Sequence, residues 1–206
     1  MKKTLLTLTA MVVAAGAFAQ GTINFNNRIA GTLVTHVYEA PATGQTIGAS
    51  AIDTPAGSTV YTGALLTGSG WTASLWAAPA GTADLNAFVL AATTTFRTGT
   101  AAGNWAGATA TLANVPKDAA SALLIVRVYA TALGSWQNAV NAAPLGNNTW
   151  GASEVFSVAS VGGDFNVPST MANLVSFSLV NPVPEPTSMA LAGLGAASLL
   201  IFRRRK

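Results

Sequence analysis

Cysteine is absent from the 206 residues, so no disulfide framework holds the fold, and packing and backbone pairing must do so alone. Histidine occurs once, as His36. One imidazole and no thiol give no basis for a zinc site of the usual kind. A nucleophilic triad would have to be built on that single ring, and no Gly-x-Ser-x-Gly elbow accompanies it. His36, between Thr35 and Val37, therefore reads as a satisfied or surface histidine, and no enzymatic activity, cofactor or metal is expected.

Charge is also scarce, at 8% of residues, and its distribution misleads. Lys2, Lys3 and Arg203 to Lys206 hold six of the ten basic residues at the two ends. Over residues 20–181, Arg28, Arg97, Lys117 and Arg127 stand against Glu39, Asp53, Asp84, Asp118, Glu154 and Asp164, a net of −2. The sequence pI of 9.6 belongs to the ends, and there is no basic stripe for nucleic acid. A glycosidase needs two facing carboxylates, but the scattered acids read as a solvated surface.

What is present is clearest at the ends. Lys2 and Lys3 precede an apolar run from Leu5 to Phe18, closed by Ala17-Phe18-Ala19. That order describes a secretory signal peptide over residues 1–19, cut between Ala19 and Gln20 by signal peptidase. The run is shorter than the ~20 residues a spanning helix needs. At the other end, Asn181-Pro182-Val183-Pro184-Glu185-Pro186-Thr187 is a spacer whose prolines forbid a continuous helix. Ser188 to Phe202 is apolar or small throughout, and Arg203, Arg204, Arg205 and Lys206 follow. As a helix that run reaches roughly 22 Å, short of the ~30 Å hydrocarbon core, so it would anchor marginally. The basic cluster favours the cytoplasmic side and places the preceding residues outside.

Val183-Pro184-Glu185-Pro186, an apolar helix and a terminal arginine cluster, in that order, resemble the PEP-CTERM sorting signal. The resemblance implies recognition of Pro184, Glu185 and Pro186 by a membrane-embedded exosortase. It further implies a transient inner-membrane anchor over Ser188 to Phe202, and delivery to the cell surface or to extracellular polysaccharide. It covers residues 182–206 only.

Residues 20–181, roughly 160 of them, are enough for one domain with a real core. Alternation recurs in Thr22 to Asn26, Leu33 to Tyr38, Trp71 to Trp76, Phe88 to Phe96 and Ala108 to Leu112. Asn114-Val115-Pro116-Lys117-Asp118 reads as a turn. Ala122 to Tyr129 is an apolar run broken only by Arg127, and Glu154 to Ala159 and Leu174 to Val180 complete the set. Eight or so short strands without a convincing amphipathic helix predict an all-β fold, an antiparallel β-sandwich.

Five tryptophans are many for such a domain. Trp71 and Trp76 have opposite parity and should face opposite sides of a strand. Trp105, Trp136 and Trp150 lie in Gly/Asn-rich segments that read as loops, where exposed rings stack on sugars; the plainer alternative is that they cap the core. Asp53, Asp118 and Asp164 are candidate calcium ligands, with Gly162 to Asn166 as a presenting turn, although a clustered acidic loop is missing. The sequence therefore predicts an exported cell-surface or extracellular-matrix protein with a structural or interaction role. The alternative is a carbohydrate-binding β-sandwich module acting on exopolysaccharide.

Overall fold

The computed structural model describes residues 20–142 and 149–181. The expected signal peptide with Ala17 and Ala19, and the sorting segment with Val183, Pro184, Glu185, Pro186 and Arg203 to Lys206, lie outside the described residues. Twelve strands occur among the described residues: β1 (Gln20–Phe25), β2 (Arg28–Ile29), β3 (Leu33–Val34), β4 (Val37–Tyr38), β5 (Trp71–Pro79), β6 (Val89–Thr95), β7 (Ala108–Pro116), β8 (Ser121–Ala130), β9 (Trp150–Ala152), β10 (Phe156–Ala159), β11 (Ser169–Thr170) and β12 (Phe177–Ser178). One α-helix, α1 (Trp136–Ala142), and three single 3-10 turns complete them.

Two of the longest strands, β5 and β8, build the centre. β5 pairs antiparallel with β8 along its whole length and with β6 on its other edge. The far edge of β8 is shared by β10 and β9. Between those two, the Ser153 amide donates to the Val126 carbonyl at 2.9 Å, and Ser153 Oγ accepts from the Val126 amide at 3.0 Å. A side chain thus completes the ladder where the strand is interrupted, because buried backbone groups must find partners.

A second sheet runs in the order β11-β1-β7. Ala73, Leu75 and Ala77 of β5 and Leu124, Val126 and Val128 of β8 point to one face of the larger sheet. They join Ile23 and Phe25 of β1 and Ala110 and Leu112 of β7 in a single buried cluster. Each such side chain from Val upward contributes about 1.5–3 kcal/mol when fully buried. The all-β expectation is met as a multi-sheet fold with one shared core.

The pairing is not purely antiparallel. β1–β11 and β4–β12 are parallel, which requires long returns rather than hairpins and so leaves no local sequence signature. The expected strand Leu33 to Tyr38 is broken at Thr35 and His36 because side chains take over their backbone groups. Asn27 and Asn104 both donate to the Thr35 carbonyl, at 2.7 and 2.8 Å, and the His36 amide donates to Ser176 Oγ at 2.8 Å. The turn expected at Asn114 begins later, since β7 continues through Pro116 and reverses at Lys117 and Asp118, the latter at φ 55. Leu174 to Val180 contributes only the two residues of β12.

The last described residue is tied down. Asn181 and Gly44 exchange two backbone hydrogen bonds, at 2.8 and 3.1 Å, and Asn181 Nδ2 donates to the carbonyls of Pro41 and Ala42.

Candidate functional site

The outer face of the larger sheet carries the chemistry. On β5, Thr72, Ser74 and Trp76 lie opposite Tyr129, Arg127 and Ile125 of β8. Trp71 packs toward the shared core while Trp76 packs with the outer cluster of Ala78, Phe88 and Ile125, the split that strand parity predicts. Two segments rise over this face. On one side is the 3-10 turn Leu85–Ala87, whose start is capped by Asp84 accepting from the Asn86 amide at 2.8 Å. On the other is α1.

Helix α1 is short, burying only Ala139, and local chemistry explains it. Gly134 adopts φ 74, a left-handed conformation open to glycine at little cost, and so ends the turn Thr131–Leu133. Ser135 then acts as N-cap, its Oγ accepting from the Asn138 amide at 3.2 Å. Asn138 Nδ2 donates back to the Leu133 carbonyl at 2.8 Å. Two helical turns are too short for periodicity to reveal.

Between these segments lies a cleft of about 360 Å³, near the lower end of the ~300–1,000 Å³ usual for small-molecule sites. Its floor is Arg127. The guanidinium carbon lies 4.5 Å from the centre of the Trp76 ring and 5.2 Å from that of Trp136, a cation held against two aromatic faces. Trp76 is fixed from below: its Nε1 donates to Ser74 Oγ at 3.0 Å, and that hydroxyl donates to the Arg127 carbonyl at 2.8 Å. Trp136 is fixed from the side by an edge-on contact with Trp150, ring centres 5.2 Å apart. Asn86 and Gln137 add amide groups to the rim.

Arg127 is poorly paired for a charge so placed. Its Nη2 donates to the Leu85 carbonyl at 3.4 Å, while Nε is buried without a partner among the described residues. Among the described residues it makes no ion pair. Burial holds its pKa below the ordinary arginine value, with no nearby carboxylate to restore it.

The three tryptophans proposed from sequence separate. Trp105 is not a loop residue open to sugars. At 1% exposure it is the largest fully buried side chain, tilted against Phe25 at 5.1 Å and edge-on to Phe96 at 6.0 Å, its Nε1 donating to the Phe25 carbonyl. Trp136 and Trp150 come together, on α1 and β9 rather than in loops, and Trp136 alone of the three lines the cleft. Sequence reading missed Arg127 as a site residue, although its signal was present: a single charge inside the apolar run of β8, two residues from Ile125 and from Tyr129 on the same face.

A second polar cluster gathers around the histidine. His36 Nδ1 donates to Asp53 Oδ1 at 2.8 Å, Ser176 Oγ donates to Asp53 Oδ2 at 2.7 Å, and the Ser50 amide also donates to Oδ2. Burial alone would raise the pKa of Asp53, but these donors outweigh it and hold the carboxyl below the usual range. The serine hydroxyl and the imidazole both turn to the acid, the hydroxyl accepting only the backbone amide of His36, and at 8% exposure for His36 and 5% for Asp53 the group faces the interior. Nearby, Tyr38 and Tyr61 stack with ring centres 4.0 Å apart, and Tyr61 donates to the carbonyls of Gly48 and Ser176. Burial raises the pKa of both phenols. Such a network braces loops; it has no nucleophile aligned with a base.

The three candidate calcium ligands are not assembled into one site. Asp53 is spent on His36. Asp118 accepts three backbone amides, from Asp164, Phe165 and Asn166, at 2.8 to 3.0 Å, and Asp164 pairs with Lys117. The glycine-rich turn is thus braced by Asp118 itself. It presents Phe165 at 91% and Val167 at 81% exposure.

The family model for the PEP-CTERM protein-sorting motif matches residues 182–206. The chain carries a PEP-CTERM sorting motif. That match includes Val183, Pro184, Glu185, Pro186 and the basic cluster Arg203 to Lys206. A PEP-CTERM motif implies export across the membrane to the cell surface and an exosortase as processing partner. No curated protein and no solved structure matches the chain. Among the described residues no helix is long and apolar enough to cross a membrane; the anchor attributed to Ser188 to Phe202 lies outside them.

Proposed function

We propose that this PEP-CTERM chain is a cell-surface or extracellular-matrix protein that works by binding rather than catalysis, held transiently in the inner membrane by its tail before release. Within that role, its domain is a carbohydrate-binding module acting on exopolysaccharide. The observation that carries this reading is the cleft on the outer sheet face, where Trp76 and Trp136 flank Arg127 and amide side chains line the rim. Flat aromatic faces stack on the C–H faces of sugar rings, and amides and a guanidinium match hydroxyl groups. A binding role also fits the arrangement at His36, whose ring and the Ser176 hydroxyl both bind Asp53. Screening the full-length chain, in mild detergent, against a glycan array with and without calcium tests the reading. Selective binding of a glycan class that Trp136→Ala weakens supports it, and no glycan bound under either condition overturns it.

A further inference from the structure

The cleft holds a positive charge that makes no ion pair among the described residues. A guanidinium carries five donors in a flat fork suited to two parallel bonds with a carboxylate. In Arg127 that fork is half-buried, makes one long bond to the Leu85 carbonyl, and leaves Nε without a partner among the described residues. Withdrawing a charge from water is costly unless a partner repays it. Contact with Trp76 and Trp136 repays part, but ring faces do not accept the N–H groups at the fork's edge. Arg127 lines the cleft together with Trp76 and Trp136, so the surfaces beside it are aromatic.

We infer that the cleft selects acidic sugars: it takes a pyranose bearing a carboxylate, the carboxylate bound by the Arg127 fork and the ring seated against Trp136. The inference rests on the carbohydrate-binding reading and narrows its ligand. Neutral sugars leave the fork unpaired and bind more weakly. Gln137 and Asn86, on opposite sides of the cleft, supply amide groups for ring hydroxyls.

The test uses the full-length chain in mild detergent, with tri-galacturonic acid, its neutral galactose counterpart and acetate as probes. Binding is followed by calorimetry and by tryptophan fluorescence. Tri-galacturonic acid should bind at least tenfold more tightly than the neutral trimer and than acetate, and its affinity should fall as salt is raised. Arg127→Met should weaken acidic binding tenfold or more and bring it to the neutral level. Arg127→Lys should weaken it less while keeping the salt dependence, since charge persists without the fork. The salt titration on the unaltered chain decides the matter even if Arg127→Met does not fold. Equal binding of acidic and neutral trimers, independent of salt, overturns the inference while the carbohydrate reading stands. Acetate binding as tightly as the trimer shows an anion site without sugar selectivity and also overturns it. Failure of every sugar here and on the array defeats both readings together.

Discussion

His36 Nδ1 lies 2.8 Å from Asp53 Oδ1 with both side chains withdrawn from water, so a buried acid is held ionised by a ring and by two further donors. The Asp53 pKa is lower in the folded chain than the 3.8 of a free carboxyl. Its contribution to stability is therefore complete above the unfolded value and is lost as pH falls through the folded one. Thermal midpoints should change little with this group from neutral pH down to about 4, then drop. Asp53→Ala should cost about 1–3 kcal/mol or more at neutral pH, because it leaves buried donors on His36, Ser50 and Ser176 without their acceptor. It should also flatten the acid limb. A variant as stable as the parent in urea unfolding would contradict this account.

Trp105 should behave as core. Trp105→Ala empties the space between Phe25 and Phe96 and should cost about 3–5 kcal/mol. Trp136→Ala, at the cleft edge, should cost distinctly less. Urea midpoints of the two variants, measured side by side, check the order.

Asp118 braces the turn bearing Phe165. Removing its carboxylate in Asp118→Ala frees the amides of Asp164, Phe165 and Asn166. Hydrogen exchange at these three amides and cleavage of the turn by proteases should both accelerate, while exchange in β5 and β8 stays as slow as before. Unchanged exchange at all three amides would mean the brace is not formed in solution.

Glu185 supplies the one charge within Pro184-Glu185-Pro186. In a host with a working exosortase, an epitope tag after Lys206 should be lost from the parent chain. It should be retained by Glu185→Ala, which should stay in the inner membrane. As a stiff spacer the segment would tolerate the change, since an exposed carboxylate adds little to stability. Equal tag loss in both proteins would refute the sorting role of Glu185.

Strand parity made much of the sheet legible: Leu75 and Trp76 fall on opposite faces by alternation alone, and the apolar run of β8 announces a central strand. Parallel pairing was not legible, because β1 and β11 meet only through a long return. Trp105 was misread because glycine and asparagine neighbours signal irregular backbone, and irregular backbone was equated with exposure. Here the Asn27 side chain satisfies that backbone from within, donating to the Gly103 carbonyl and accepting from the Trp105 amide, which lets an irregular segment be buried. The cleft was the least legible feature. Arg127 and Trp136 come from a strand and a two-turn helix, and only folding lays one ring on the other's charge.

The fastening of Asn181 to Gly44 fixes the length of a leash. Glu185 lies four residue steps beyond Asn181, and four steps of polypeptide reach at most roughly 14 Å. A membrane enzyme that grips Pro184-Glu185-Pro186 must therefore work almost against the surface of the folded domain, or else prise Asn181 loose. Clearance above the bilayer, rather than the motif alone, then becomes a condition for cutting, and the bulk of the irregular segment around Gly44 sets how closely the two can approach.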